Sequence, residues 1–219
     1  MTAIKVLIFN RLPLHIDFTN IPDNAYVREH IEGIKNSEYK AASSAAYSLL
    51  FQMLSDYFNM TADNIVIRQN EHGKPIIVGK NVHFNMSHCK NSVVCALSGG
   101  EIGVDIEYIG EIRDSVLRKC FTVKEVQRVQ TKADFYKYWT LKASYLKAVG
   151  TGIDRRLDHI EFDIGDSICC FDDGSAVPYR FYSDIIGEYV LAVCARAEID
   201  ASSVEVKRIT SSDQVTDNQ

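Results

Sequence analysis

The stretch GVDIE, Gly103 to Glu107, sets two carboxylates two residues apart. On an extended chain, residues i and i+2 share one side, so Asp105 and Glu107 project together with Cα atoms about 6.6 Å apart. Ile102, Val104, Ile106 and Tyr108 then turn the other way, toward a core. Two acids on one side repel unless a cation lies between them. A hard divalent ion suits them, because Mg²⁺ takes one or two carboxylates, keeps waters and binds phosphate oxygens of a substrate. The plain alternative is a solvated strand face.

Other segments supply positive charge. In GKP, Lys74 stands between Gly73 and the φ-locking Pro75, a rigidly placed ammonium able to meet a phosphate. In FNMSHCKNSVV, Ser87 and His88 are neighbours. On a strand they face opposite ways and form no nucleophile–base pair, but at a strand end both reach one extended anion. In DFYKYWTLKASYLKAVGTG, Asp134 to Gly152, the four-residue spacing of Trp139, Ala143 and Lys147 lines them on one helix face. Lys147 precedes Gly150 and Gly152 by one turn, where a phosphate can approach closely. Phe135, Tyr138, Lys142, Tyr145 and Val149 make a neighbouring, mostly apolar stripe. Each segment alone also has an ordinary reading: a surface turn, a hairpin histidine, a core aromatic. A cysteine hydrolase built on Cys89, His88 and Asp105 is disfavoured, because adjacent Cys and His do not face each other.

The elements that must position these residues follow from periodicity. Ile4 to Phe9 reads as a strand, and Ser37 to Phe58 as a helix with Ala42, Ala45, Ala46, Leu49, Leu50, Met53 and Leu54 on its inner side. IVIRQ, PIIV, HFNMS and SVVCALS read as short strands, and EIGVDIEYI alternates. Thr122-x-x-Glu125 is a capping-box pattern opening a helix, and the Trp139 helix follows. HIEFDI, ICCF, YRFYS and YVLAVCAR are strand-like again, and TSSDQVTDNQ reads as a disordered end. Helix-then-strands therefore occurs twice. The expected fold is α+β with small antiparallel sheets packed on long helices, and the doubled order hints at two similar lobes. Residues 1–100 form the N-terminal lobe, 101–197 the C-terminal lobe and 198–219 a polar tail. Neither a GxGxxG nor a GxxxxGK[ST] nucleotide motif is present.

The 219 residues are 46% hydrophobic and 24% charged with a net charge of -5, which speaks against a broad nucleic-acid or anionic-membrane surface. No apolar run approaches the roughly 18 residues of a membrane span, and MTAIKVLIFN is too short for an export signal. The six cysteines form no CxxC pair and read as reduced thiols of a cytoplasmic protein.

Taken together and in order, GKP, FNMSH, GVDIE and WTLKASYLK resemble the 4′-phosphopantetheinyl transferases, specifically the larger surfactin-synthetase-activating type, over roughly Lys40 to Gly152. The resemblance implies transfer of phosphopantetheine from coenzyme A to a serine of an apo acyl or peptidyl carrier protein, releasing adenosine 3′,5′-bisphosphate. It implies a pseudodimer of two similar α+β lobes with the site between them, and the protein is expected to act as a monomer without nucleic acid or membrane. It makes Asp105 and Glu107 ligands of Mg²⁺, with Mn²⁺ as the alternative, and makes Lys74, Ser87, His88 and Lys147 contacts of coenzyme A. Lys40 falls where a basic residue near the adenosine phosphate is expected, and Lys142 belongs to the catalytic helix motif.

One position departs from the pattern. The family helix reads Trp-x-x-Lys-Glu, and this one reads Trp139-Thr-Leu-Lys142-Ala143. That glutamate is a third acid at the metal and a candidate general base, and alanine serves as neither. Two accounts stand: a deliberate replacement that traps a substrate complex, or a natural variant with weak or altered activity. Either way the chain is expected to bind coenzyme A and turn over poorly. The alternative function is a non-catalytic module on the same scaffold that holds coenzyme A or a carrier protein.

Overall fold

Asn36 begins the longest helix. Its side-chain Oδ1 accepts from the Tyr39 N–H, which satisfies one of the helix's orphan donors. Helix α2 (Ser37–Phe58) then runs until Asn59 takes the left-handed conformation at φ 51°. The seven apolar residues expected on its inner side are all buried. Before it lies α1 (Ala25–Gly33), which periodicity did not reveal; Asn24 caps it and also donates to the Ala62 and Ile65 carbonyls. The structure, a computed structural model, describes residues 4–10, 24–152, 156–196 and 204–209.

The strands are β1 (Lys5–Asn10), β2 (Ile67–Gln69), β3 (Pro75–Ile77), β4 (His83–Cys89), β5 (Ser92–Ser98) and β6 (Ile102–Tyr108). Helices α3 (Asp114–Cys120), α4 (Val123–Arg128) and α5 (Lys132–Val149) come next. Then follow β7 (Ile160–Ile164), β8 (Ile168–Asp172), β9 (Ser175–Ala176), β10 (Tyr179–Ile186), β11 (Tyr189–Arg196) and β12 (Glu205–Ile209). One sheet has the order β12-β1-β5-β4 and packs against α2; a second has the order β10-β11-β6 and packs against α5. β2-β3 and β7-β8-β9 form two small antiparallel sheets.

The continuous apolar runs of β5 and β11 have one cause. Val93, Cys95 and Leu97 pack toward α2, whereas Val94 and Ala96 turn to the opposite face. Val190, Ala192 and Cys194 pack toward α5, whereas Leu191, Val193 and Ala195 turn away from it. The turned-away residues meet in a shared middle core with Ile4, Val6, Ile8, Ile102, Val104 and Ile106. Both sheets are thus buried on two faces, and strands in that position lose the usual alternation. The layers are α2, sheet, sheet and α5.

The stretch read as a polar tail needs correction in part. Glu205–Ile209 pairs parallel with β1, with Lys5 opposite Glu205 and the two side chains bonded. Val204 and Val206 pack on the shared core, so an alternating pair of valines recruits an otherwise polar segment. The segment TSSDQVTDNQ lies outside the described residues. All six cysteines are free thiols, and among the described residues no helix is long and apolar enough to cross a membrane.

Gly103 sets the distance between β6 and α5. A Cβ there would lie 2.0 Å from the Ser144 carbonyl oxygen and 2.4 Å from the Ala148 nitrogen, both backbone atoms of α5. Overpacking a core typically costs 1–3 kcal/mol, and backbone neighbours yield less readily than side chains. Gly103→Ala should therefore lose about 3 kcal/mol of stability in urea unfolding; a loss below about 1 kcal/mol would mean that strand and helix separate freely.

Candidate active site

β6 carries its acids on the face turned from the shared core, toward β4 and α5. Asp105 is 5% exposed. Its Oδ1 accepts from the Ser87 hydroxyl at 2.8 Å and from the Lys147 ammonium at 2.7 Å. Lys147 also donates to Ser87 Oγ at 2.8 Å and to the Val104 carbonyl at 3.2 Å. Among the described residues, the buried Asp105 Oδ2 has no hydrogen-bond partner. A buried carboxylate oxygen left bare is costly unless a cation or donor completes it.

Glu107 sits one strand repeat away. Trp139 Nε1 donates to its Oε1 at 3.2 Å. Burial, followed by the charge of Asp105, raises its carboxyl above the ordinary range. The Cys89 thiol adjoins it, accepts from the Tyr108 N–H at 3.3 Å and is pushed up to about 11, chiefly by burial. A thiol held so high is a poor nucleophile, which speaks against the cysteine-hydrolase alternative.

Besides the Ser87–Asp105 bond, two further side-chain bonds join β4 to β6, which belong to different sheets. Asn85 Oδ1 accepts from the Val104 N–H at 2.9 Å, and Cys89 Sγ accepts from Tyr108. Sequence reasoning passed over Asn85; an amide among the apolar residues of FNMSH was the available signal. His88 points away from Ser87, as strand alternation requires, and meets the Tyr39 ring edge-on at 4.6 Å between centroids. Burial, then the charge of Lys147, lowers its imidazole below the usual value. Tyr39 belongs to the first turn of α2, and Lys40, the next residue, is half-buried.

Helix α5 starts at a complete capping box, Thr131 with Asp134, and ends at Gly150 in the left-handed region. Trp139 touches Glu107 and Lys147 touches Asp105, so the helix face expected from four-residue spacing lies along the acidic side of β6. Ala143 falls one turn from each. It borders a cavity of about 250 Å³ that Trp139, Lys147, Gly150 and the His72–Pro75 turn also line.

Two expected residues behave differently from the rest. Lys74 directs its ammonium at the carbonyls of Lys147, Ala148 and Ile102 at 2.5, 3.0 and 3.1 Å. Burial pushes its ammonium down to about 8, with Glu101 opposing the shift. Lys142, expected to act in catalysis, has its ammonium buried in an ion pair. It is 0% exposed, pairs with Glu125 Oε2 at 2.8 Å and donates to the Leu157 carbonyl at 3.0 Å and to the Ile160 carbonyl. Its place in the apolar stripe turns it into the core of α4, α5 and β7, where a charge persists only with an ionic partner. Burial lowers its affinity for the proton, and Glu125 counteracts this.

The donors near Asp105 are those of a hard cation: two carboxylates, one with a bare buried oxygen. Among the described residues no three His, Cys, Asp or Glu converge as a ligand set. Waters and substrate oxygens would have to complete the shell, which is the habit of Mg²⁺.

Residues 101–194 match the family described as the 4′-phosphopantetheinyl transferase superfamily. The chain is 40% identical over 111 residues to the 4′-phosphopantetheinyl transferase gsp of Aneurinibacillus migulanus, covering 48% of this chain and 46% of that protein. It is 32% identical over 148 residues to a 4′-phosphopantetheinyl transferase of Bacillus subtilis, covering 63% and 66%. Its identity to the 4′-phosphopantetheinyl transferase Sfp of Bacillus subtilis strain 168 is 27% over 157 residues, covering 67% and 70%. The chain thus spans about half the length of gsp and just under two thirds of the second relative. The region similar to the 4′-phosphopantetheinyl transferase superfamily is thus the one that carries the acids of β6 together with the α5 face that meets them.

Proposed function

We propose that this chain transfers 4′-phosphopantetheine from coenzyme A to a serine hydroxyl of an apo acyl or peptidyl carrier protein, slowly as it stands. The observation that carries the reading is the bare, buried Oδ2 of Asp105 beside Glu107, with Lys147 and Ser87 on the other oxygen. Asp105 and Glu107 would hold Mg²⁺ or Mn²⁺, which when bound neutralises charge on the departing nucleotide. Lys147 releases part of its hold on Asp105 to meet the diphosphate. Ser87 offers its hydroxyl to the same anion, and His88 with Lys40 faces the nucleotide end. The carrier serine attacks the phosphorus bearing pantetheine, and the bond to the adenosine 5′-phosphate oxygen breaks. The serine proton needs a base, and Ala143 has none to give.

The same reading takes residues 1–100 and 101–197 as two lobes of a pseudodimer and the protein as a cytoplasmic monomer. Ala143 also favours a second reading, a scaffold that binds coenzyme A without chemistry. Weighing an apo carrier protein after incubation with coenzyme A and Mg²⁺ separates them. The expected result is a gain of one phosphopantetheine, reduced about 10²-fold or more in Asp105→Asn and in Glu107→Gln. No gain with several carriers, even from Ala143→Glu, would leave the binding scaffold.

A further inference from the structure

We infer that Lys74 is a positioning residue: its ammonium fastens the turn between β2 and β3 to the last turn of α5 and to the first residue of β6, and so fixes the backbone from which Lys147 reaches Asp105. An ammonium has three N–H donors and no acceptor. Lys74 has three carbonyl partners, on Lys147, Ala148 and Ile102. The first two belong to the last four carbonyls of α5, which have no partner within the helix. A cation at a helix C-terminus also complements the helix dipole.

The turn that carries Lys74 is itself rigid. Asn70 Oδ1 accepts from the Lys74 N–H at 2.8 Å and from the His72 N–H at 3.0 Å, and the Asn70 N–H donates to the Lys74 carbonyl at 2.9 Å. Pro75 locks the next φ. Asn70 Nδ2 reaches across to the Gly150 carbonyl at 3.4 Å. The fit is close: a Cβ on Gly150 would sit 3.0 Å from Lys74 Cδ. One turn and one helix end are therefore joined through both Asn70 and Lys74.

The resemblance assigns Lys74 to coenzyme A, yet a phosphate would have to draw its ammonium from three carbonyls. The whole turn, Lys74 included, borders the cavity next to Ala143, but the Lys74 ammonium is directed at the three carbonyls. The consequence for turnover rests on the proposed transferase reading, whereas the clamp itself does not.

Hydrogen exchange tests the clamp without any ligand. In Lys74→Met, amides of the last turn of α5, Lys147 to Gly150, should exchange at least tenfold faster, with those of α2 unchanged. Asn70→Ser keeps the cation but loosens the turn, and should speed the same amides to a smaller degree; it decides the question if Lys74→Met does not fold. Unchanged exchange at the end of α5 would overturn the clamp. A second arm reads coenzyme A affinity against salt. A lost phosphate contact flattens that dependence, because its ionic attraction is screened. Lys74→Met should bind more weakly with an unaltered salt slope, and a flatter slope would overturn the inference in favour of direct contact. A loosened helix end in a protein that modifies no carrier would count against the transferase reading alone.

Discussion

Replacing Lys142 by methionine should lower the stability of this protein by about 3–5 kcal/mol, read from its urea midpoint. The ammonium and the Glu125 carboxylate are both essentially inaccessible, at 1% and 0% side-chain exposure. Methionine keeps the length of the chain and removes only the charge and its donors. Glu125 would retain the Thr122 N–H at 2.8 Å and the Phe162 N–H at 2.9 Å, but its charge would sit uncompensated beside Phe121, Phe135 and Phe162. The Leu157 and Ile160 carbonyls would lose their donor as well. Against a typical total of about 5–15 kcal/mol, such a loss brings the protein near its unfolding threshold. Glu125→Gln alone should also destabilise. The double variant should cost less than the sum of the two by about 1–3 kcal/mol, because the partners act as a unit. If Lys142 instead served the substrate, Lys142→Met would keep its midpoint and lose only turnover, and the structural assignment would fall.

The burial of Lys142 against Glu125 shows what a sequence conceals. Its motif placed it beside residues of chemical promise, while its partner stands in another helix. Glu125 was legible as the third residue of a capping box, and that role is real: one oxygen accepts from Thr122. Nothing in the pattern says that the carboxylate also anchors a lysine and a strand. Local periodicities fared better. Two-residue spacing put Asp105 and Glu107 on one side of β6, and four-residue spacing put Trp139, Ala143 and Lys147 along it. Both depend only on backbone geometry. The missing side chain of Gly103 admits the α5 backbone, a fit that strand periodicity does not show. The meeting of β4 with β6 through Asn85, and of β12 with β1, depends on distant partners that periodicity does not name. The approach of the α2 start to His88 is of the same kind, carried by one ring contact with Tyr39.

Placing an acid at position 143 should have the largest effect on function. Trp139 holds Glu107 and Lys147 holds Asp105, and Ala143 lies one turn from each. A glutamate there would project toward the interval between the two strand acids. The neighbouring cavity of about 250 Å³ gives its side chain room without displacing the core. Alanine and glutamate are both good helix formers, so the backbone has little reason to change. A third carboxylate should tighten Mn²⁺ binding, measurable by titration without any turnover. It also supplies a base for the carrier serine, and general bases typically contribute 10²–10⁴-fold. Lys147 is free to answer the new charge in place of Asp105, which would offset part of the gain. Ala143→Glu should therefore raise the rate of carrier modification by at least about tenfold over the present chain. Should a well-folded Ala143→Glu protein bind Mn²⁺ no better and modify carriers no faster, then this face of α5 does not meet the acids in the working enzyme.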